Sequence, residues 1–250
     1  MNKNVCIIGF GRLGQTLAGI LKDDFNIYVV EPNESQAGKA ASADFTPIQL
    51  NDLGNMDTVI LCVPISVFEQ TVKDISPYLA PGAVVMDTCS VKVIPAEIMQ
   101  RALPDSVSII ATHPLFGPDS VGRGLNQLAM VTNPIRVDED IFTLWHDYWQ
   151  NLGLNVINAT PEEHDKATAY TLGMTHFFGR IMGELELEPH AITTVGYNAL
   201  YEVMKQTNND SWQLFNDMQR FNPYAREMRE RVYAAIESIE AKLDEAISLN

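Results

Sequence analysis

Apolar residues gather in short runs along the first part of the chain and recur at helical intervals along the rest. Seven runs read as strands, at 5–9, 26–31, 58–63, 83–87, 108–112, 128–132 and 155–158. Between them, the spacing predicts helices over 14–21, 66–79, 94–102 and 138–151. Strands alternating with helices predict a mostly parallel sheet covered by helices on both faces, a doubly wound α/β domain of the Rossmann type. Ligands on such sheets bind outside the carboxyl ends of the strands. Beyond Pro161 the strand runs stop, and Ala167, Tyr170, Thr171, Met174, Phe177 and Phe178 recur at helical spacing. Thr160-Pro161-Glu162-Glu163 has a hydroxyl cap, a first-turn proline and acids at the positive end of the dipole, which marks a helix start. Further helices are predicted over 188–206, 211–221 and 222–247. The expected architecture is a dinucleotide-binding sheet domain at 1–158 followed by an all-helical domain at 159–250. A helical domain that small often completes its core by dimerising, so a homodimer through this half is expected.

The first run leads into Gly9-Phe10-Gly11-Arg12-Leu13-Gly14, the G-x-G-x-x-G turn that holds a dinucleotide when it joins a strand to a helix. Gly9 permits the sharp turn, Gly11 lets the backbone approach a diphosphate, and Gly14 lets the helix pack on the strand. The new helix points free N–H groups at the phosphates. The second run ends at Glu31, whose carboxylate suits ribose hydroxyls and repels a 2′-phosphate. With no basic residue close behind it, the expected cofactor is NAD rather than NADP. Val63 and Pro64, at the end of the third run, complete the expected cofactor-binding set. The competing readings are a glycine turn without ligand and a solvated loop acid.

Composition adds limits. The chain has 250 residues, is 46% apolar and 20% charged, and carries a formal charge of −15. That charge argues against nucleic acid or an anionic membrane as partner, and obliges any anionic substrate to find a local basic pocket. No apolar run is long enough to span a bilayer, and no leader pattern opens the chain, so a cytoplasmic location is expected. Cys6, Cys62 and Cys89 lie in or beside apolar runs without metal spacing, and read as reduced and mostly buried.

Of the five histidines, His113 is the candidate for chemistry. It follows Ile109-Ile110-Ala111-Thr112 at a strand's carboxyl end and precedes Pro-Leu-Phe-Gly-Pro, which fixes the backbone. Histidine titrates near neutrality and can take the proton of an alcohol whose carbon loses hydride. The bland reading is a strand-end histidine bonded to a nearby carbonyl. Ser90 and Lys92 follow the fourth run, where a hydroxyl could bond substrate oxygen or orient the histidine, and a lysine could supply charge or cap a loop. His146 and His190 read as packing and turn residues, and His164 as structural or interdomain.

Several segments together resemble the prephenate and arogenate dehydrogenases of tyrosine biosynthesis. They are the glycine turn, Asp-Thr-Cys-Ser-Val-Lys at 87–92, Thr-His-Pro-Leu-Phe-Gly-Pro-Asp-Ser at 112–120, Glu-Glu-His-Asp-Lys at 162–166, Thr-His-Phe-Phe-Gly-Arg at 175–180 and Gly-Tyr-Asn-Ala-Leu at 196–200. The helical half looks most like the plant-type arogenate enzymes. The resemblance implies an oxidoreductase that moves hydride from the hydroxyl-bearing ring carbon to a nicotinamide while the ring carboxylate leaves as carbon dioxide. It implies that His113 accepts the hydroxyl proton, that Ser90 orients it, and that Thr175 and His176 bind substrate; without it, His176 reads as a core histidine. Asp210, in Thr207-Asn208-Asn209-Asp210-Ser211-Trp212, matches a plant-type position associated with arogenate, whose ammonium an acid would pair. The alternative is that Asp210 caps the next helix. Arogenate is therefore the expected substrate, with prephenate the alternative. Many bacterial members clamp the substrate carboxylate with an arginine; its candidates are Lys205, Arg220 and Arg226. Plant-type enzymes usually prefer NADP, and Glu31 departs from that. A hydroxyacid dehydrogenase of the same architecture, a dinucleotide sensor without turnover and an enzyme of amino-substituted prephenate are the other readings.

Overall fold

The computed structural model describes residues 4–122 and 124–248. The chain forms two compact units that divide between His164 and Asp165.

In the first unit the strands are β1 (Asn4–Ile8), β2 (Asn26–Val30), β3 (Thr46–Pro47), β4 (Thr58–Leu61), β5 (Val84–Asp87), β6 (Ser108–Pro114), β7 (Ala129–Arg136) and β8 (Asn155–Asn158). They make one sheet in the order β3-β2-β1-β4-β5-β6-β7-β8. All pairs are parallel except β6 with β7. The central strands β1, β4 and β5 are buried almost throughout, which is why they read as unbroken apolar runs rather than alternating ones. Helices α1 (Arg12–Leu21), α2 (Glu34–Ser42), α3 (Ile65–Ile75), α4 (Val93–Ala102), α5 (Pro118–Val121) and α6 (Glu139–Asn151) connect them. Strand order reverses between β1 and β4, the switch point where such sheets open a crevice.

The pattern missed α2, β3 and α5, and it ended β6 two residues early. Helix α2 buries only Ala40, so it has no apolar stripe to detect; it forms because Asn33 caps it by accepting the Gln36 N–H at 3.1 Å. Strand β6 runs on through His113 and Pro114, because β7 pairs with it antiparallel at His113↔Val131 and Pro114↔Met130. The histidine therefore lies inside the strand's last residues rather than just past them.

Helix α7 (Pro161–Thr168) carries the division between units. A π-helical turn at Ala169–Gly173 follows it, then α8 (Met174–Glu184), α9 (Val195–Asn208), α10 (Trp212–Phe221) and α11 (Ala225–Ser248). The sequence pattern starts a helix at 188, but α9 begins only at Val195, where the Thr194 hydroxyl accepts the Tyr197 N–H at 3.1 Å. The second unit centres on Ala169, Met228 and Val232. Helices α8 and α9 pack backbone-close: a Cβ on Gly179 would lie 1.9 Å from the Thr207 hydroxyl oxygen. No helix among the described residues is long and apolar enough to cross a membrane.

Candidate active site

Parallel strands deliver their carboxyl ends to one edge of the sheet, and that edge collects the residues with chemistry. The turn after β1 has Gly9 at φ +93°, and its N–H donates to the Val30 carbonyl at 2.9 Å. A Cβ on Gly9 would meet the Cys62 carbonyl oxygen at 2.5 Å, and one on Gly14 the Gly9 carbonyl oxygen at 2.1 Å. A Cβ on Gly11 would meet nothing within 4 Å. The first and last glycines are thus required by protein contacts, and the middle one faces open space. As the cap residue of α1, Gly11 offers no side chain to the helix's first N–H groups, which leaves them for an anion.

Glu31 is fastened to this turn. One carboxylate oxygen accepts the Phe10 N–H at 2.7 Å and the other accepts the Asn33 N–H at 2.9 Å. Each oxygen keeps a lone pair for a further donor. Val63 borders Gly9, within 3.1 Å of a Cβ built there, and Pro64 starts α3. Arg12 forms an exposed ion pair with Asp119 at 2.6 Å, and Leu13 packs against the apolar core. A left-handed glycine turn at the switch point, an uncapped helix start and a strand-end carboxylate form a donor set that fits a dinucleotide.

The loop after β5 is pinned to β6 by a buried ion pair that the sequence did not announce. Lys92, 1% exposed, donates to the Asp87 carboxylate and, at 2.7 Å, to the Thr112 carbonyl. The Asp87 carboxylate also accepts the Cys89 N–H at 3.0 Å and the Thr112 N–H at 3.2 Å. The Thr112 hydroxyl donates to the Asp87 carbonyl. Lys92 is therefore consumed as a cross-brace directly before His113.

His113 is 6% exposed, and its Nδ1 lies 2.8 Å from Nε2 of His164, itself 3% exposed. Burial, then the neighbouring His164 and Lys92, hold the His113 imidazole well below its usual value, so it is neutral. Ser90 does not make the orienting bond that the family pattern assigns to it. Its hydroxyl oxygen is buried without a protein partner, and the partner of the imidazole is His164. His164 was legible only as part of Glu-Glu-His-Asp. The signal that could have raised it is the cap: Thr160 accepts the Glu163 N–H at 3.2 Å, while Glu163 accepts the Thr160 N–H at 2.9 Å. Cys6 and Cys62 are thiols whose pKa burial pushes up to about 12, and Cys89 is pushed up as well.

The second unit holds its own polar cluster. His176 on α8 is buried, with Nδ1 unpartnered and Nε2 3.9 Å from an Asp210 carboxylate oxygen. Burial lowers its pKa, Asp210 opposes that, and Arg180 reinforces it. Asp210 is not the cap of α10: Ser211 is, accepting the Leu214 N–H at 3.1 Å. Arg180, one turn beyond His176, was not among the candidate cations. It donates to the Asp210 carbonyl at 2.6 Å and stacks on Trp212 at 4.5 Å, while its Nε is buried and unpartnered. Lys205 pairs with Glu202 at 3.2 Å, Arg226 with Glu230 at 2.9 Å, and Arg220 lies over the Phe221 ring. Thr175 is exposed and donates to the Thr171 carbonyl within its own helix.

These features define a Rossmann-type dinucleotide-binding domain joined to a helical domain. Residues 17–137 match the family model described as prephenate dehydrogenase, nucleotide-binding domain, and 181–249 match the one described as TYRAAT1-like, C-terminal domain. Arogenate dehydrogenase 1, chloroplastic, of Arabidopsis thaliana is 30% identical over 247 residues, 95% of this chain and 38% of that relative. A probable arogenate/prephenate dehydrogenase of Methanocaldococcus jannaschii is 29% identical over 92% of this chain and 54% of its own length. The crystal structure of a prephenate dehydrogenase from A. aeolicus, in complex with hydroxyphenyl propionate and NAD+, shares the fold with a TM-score of 0.73 at 20% identity, over 98% of this chain and 89% of that one. Over residues 17–137 the chain is thus similar to the nucleotide-binding domain of prephenate dehydrogenases, and over most of its length to arogenate and arogenate/prephenate dehydrogenases. It spans 38% and 54% of the length of these two curated relatives.

Proposed function

We propose that the protein oxidises arogenate to tyrosine with loss of carbon dioxide, using NAD. The observation that carries this reading is a neutral, buried His113 in the same sheet unit as a glycine turn fit for a dinucleotide. Gly9, Gly11, Gly14 and the first turn of α1 would hold the diphosphate, with Phe10, Arg12, Leu13, Val63 and Pro64 around it, and Glu31 would take the adenosine ribose hydroxyls. Bound there, the nicotinamide supplies an acceptor for the hydride on the hydroxyl-bearing ring carbon.

His113 takes the proton of that hydroxyl on Nε2 as the carbon gains carbonyl character. The Ser90 hydroxyl, with no protein partner, is free to bond the same oxygen. The bond from the ring to its carboxylate breaks, its electron pair stays in the ring, and the ring becomes aromatic. The helical unit, taken by itself, holds further groups suited to a charged side chain. There Asp210, released from capping duty by Ser211, suits an ammonium. His176 and Arg180, each with a buried unpartnered nitrogen, suit a carboxylate. Arg180 replaces Lys205 as the favoured clamp, since Lys205 is already paired on the surface of its helix.

Self-association through the helical unit is part of the same reading. Tyr233, Ile236, Ile239, Leu243 and Ile247 form an exposed apolar stripe along α11, continuous with Phe178 of α8. A second copy of the chain would cover it.

The test is steady-state kinetics with arogenate and prephenate, each with NAD and NADP. The highest kcat/KM is expected for arogenate with NAD. A higher value for prephenate would move the assignment to prephenate, a higher value with NADP would remove Glu31 as the cofactor determinant, and no turnover of either substrate would end the reading.

A further inference from the structure

We infer that His164 is a positioning residue that holds His113 in the tautomer with a proton on Nδ1 and a lone pair on Nε2. The inference rests on the reading of His113 as proton acceptor. A neutral imidazole carries one N–H, and His113 Nδ1 and His164 Nε2 stand 2.8 Å apart, so one ring must donate to the other. If His164 donated, His113 would hold its own proton on Nε2 and could accept nothing there. If His113 donates from Nδ1, its Nε2 is open; that nitrogen makes no hydrogen bond to any described residue. Only the second arrangement lets His113 gain a proton on Nε2 without breaking the bond to His164. That bond then becomes charge-assisted, as a carboxylate partner's does in a hydrolase triad.

Both rings are held for this. His164 sits in the first turn of α7, fixed by the reciprocal cap of Thr160 and Glu163, with its backbone N–H donating to the Thr160 carbonyl at 2.9 Å. His113 follows Thr112, which is bonded to both members of the Asp87–Lys92 pair. The rings meet edge to face, 5.0 Å apart at 66°. On the sheet side Lys92 and Asp87 brace the strand that ends at His113, and on the helix side Glu163 caps the helix that carries His164.

The experiment is imidazole nitrogen NMR on the full chain, with His113 assigned by its loss in H113N, alongside kinetics of H164Q and H164F. Glutamine offers a carbonyl acceptor and phenylalanine offers none. Expected is a His113 signal protonated on Nδ1 in the wild type, retained in H164Q and mixed between nitrogens in H164F. Turnover in H164F should fall about a hundredfold, the effect of a misplaced catalytic group, with KM little changed and H164Q recovering most of it. A wild-type His113 protonated on Nε2 would overturn the inference even if no variant folds. So would an H164F protein with normal kcat. If instead H113N turns over normally, the reading of His113 fails while the tautomer result still stands.

Discussion

The polar clusters of the two units differ in how far they satisfy themselves: at the sheet edge the Ser90 hydroxyl is left over, and in the helical unit several groups are. At the sheet edge, Asp87, Lys92, Thr112, His113 and His164 satisfy one another, and the braces run through backbone as well as side chains. In the helical unit, His176 Nδ1, Arg180 Nε and Asn208 Oδ1 are buried without a protein partner. Unmet buried donors and acceptors destabilise a fold by about 1–3 kcal/mol each, so they persist where a ligand meets them. On the proposed reading, the contrast puts rigidity where a proton would move and unspent bonding capacity where a side chain would be recognised. General-base chemistry tolerates little displacement, whereas recognition needs groups that are not already engaged.

The sharpest way to break this division is H113N. Asparagine keeps roughly the size and polarity of the side chain but cannot accept a proton. We expect kcat to fall by about 10²–10⁴, the usual worth of a positioned general base, with dinucleotide affinity unchanged in a fluorescence titration. Equal turnover in the variant would remove the sheet cluster from the chemistry. Next in size is Lys92→Met. Removing one partner of a buried pair strands the other charge, and a loss of about 3–5 kcal/mol in urea unfolding is expected. Adding Asp87→Leu should recover much of it. A single-mutant loss under about 1 kcal/mol would mean that the pair behaves like a solvated surface bridge.

Proton linkage separates the clusters further. The folded state refuses a proton at His113 that the unfolded chain accepts below pH about 6.5. Above that value the group is neutral in both states and contributes nothing. As pH falls below it, the unfolded state binds the extra proton and stability declines, until the lowered folded-state value is reached. Titrating unfolding free energy from pH 7 downward in wild type and H113N should show a shallower decline in the variant. With His113 as the proposed proton acceptor, activity should persist below the ordinary histidine range. His176 contributes a weaker decline of the same sign, since Asp210 opposes its desolvation.

How much of this the sequence could reveal follows from the range of each interaction. The strands and most sheet-unit helices stood out because burial on a sheet forces apolar runs, and His113 stood out because Pro114 and Gly117 punctuate its strand. The partner of His113 lies 51 residues away, and no local spacing joins them. Lys92 reads from sequence as a supplier of charge or a loop cap, because a lysine after a strand is usually exposed, and only the fold reveals that it is buried against Asp87. Arg180 was within reach of a local argument. It follows His176 by four residues, one helical turn, and that spacing places both on one face. Asp210 was undecidable at sequence level, because either it or Ser211 can cap the helix that follows.

The last test bears on that cap and is the smallest in stability. Because Ser211 already caps α10, Asp210→Asn removes no helix cap. Its folding free energy should change by no more than about 0.5 kcal/mol, as for a substitution outside any structural device. Asparagine keeps the shape of the side chain and removes its charge, so only a cationic partner is affected. The ratio of kcat/KM for arogenate over prephenate should fall about tenfold, at the low end of what a charged hydrogen bond contributes. A large stability loss would make Asp210 part of the scaffold, like the braces of the sheet cluster. An unchanged ratio with unchanged stability would leave Asp210 outside recognition, and the open donors of His176 and Arg180 would then have to discriminate substrates through the carboxylate alone.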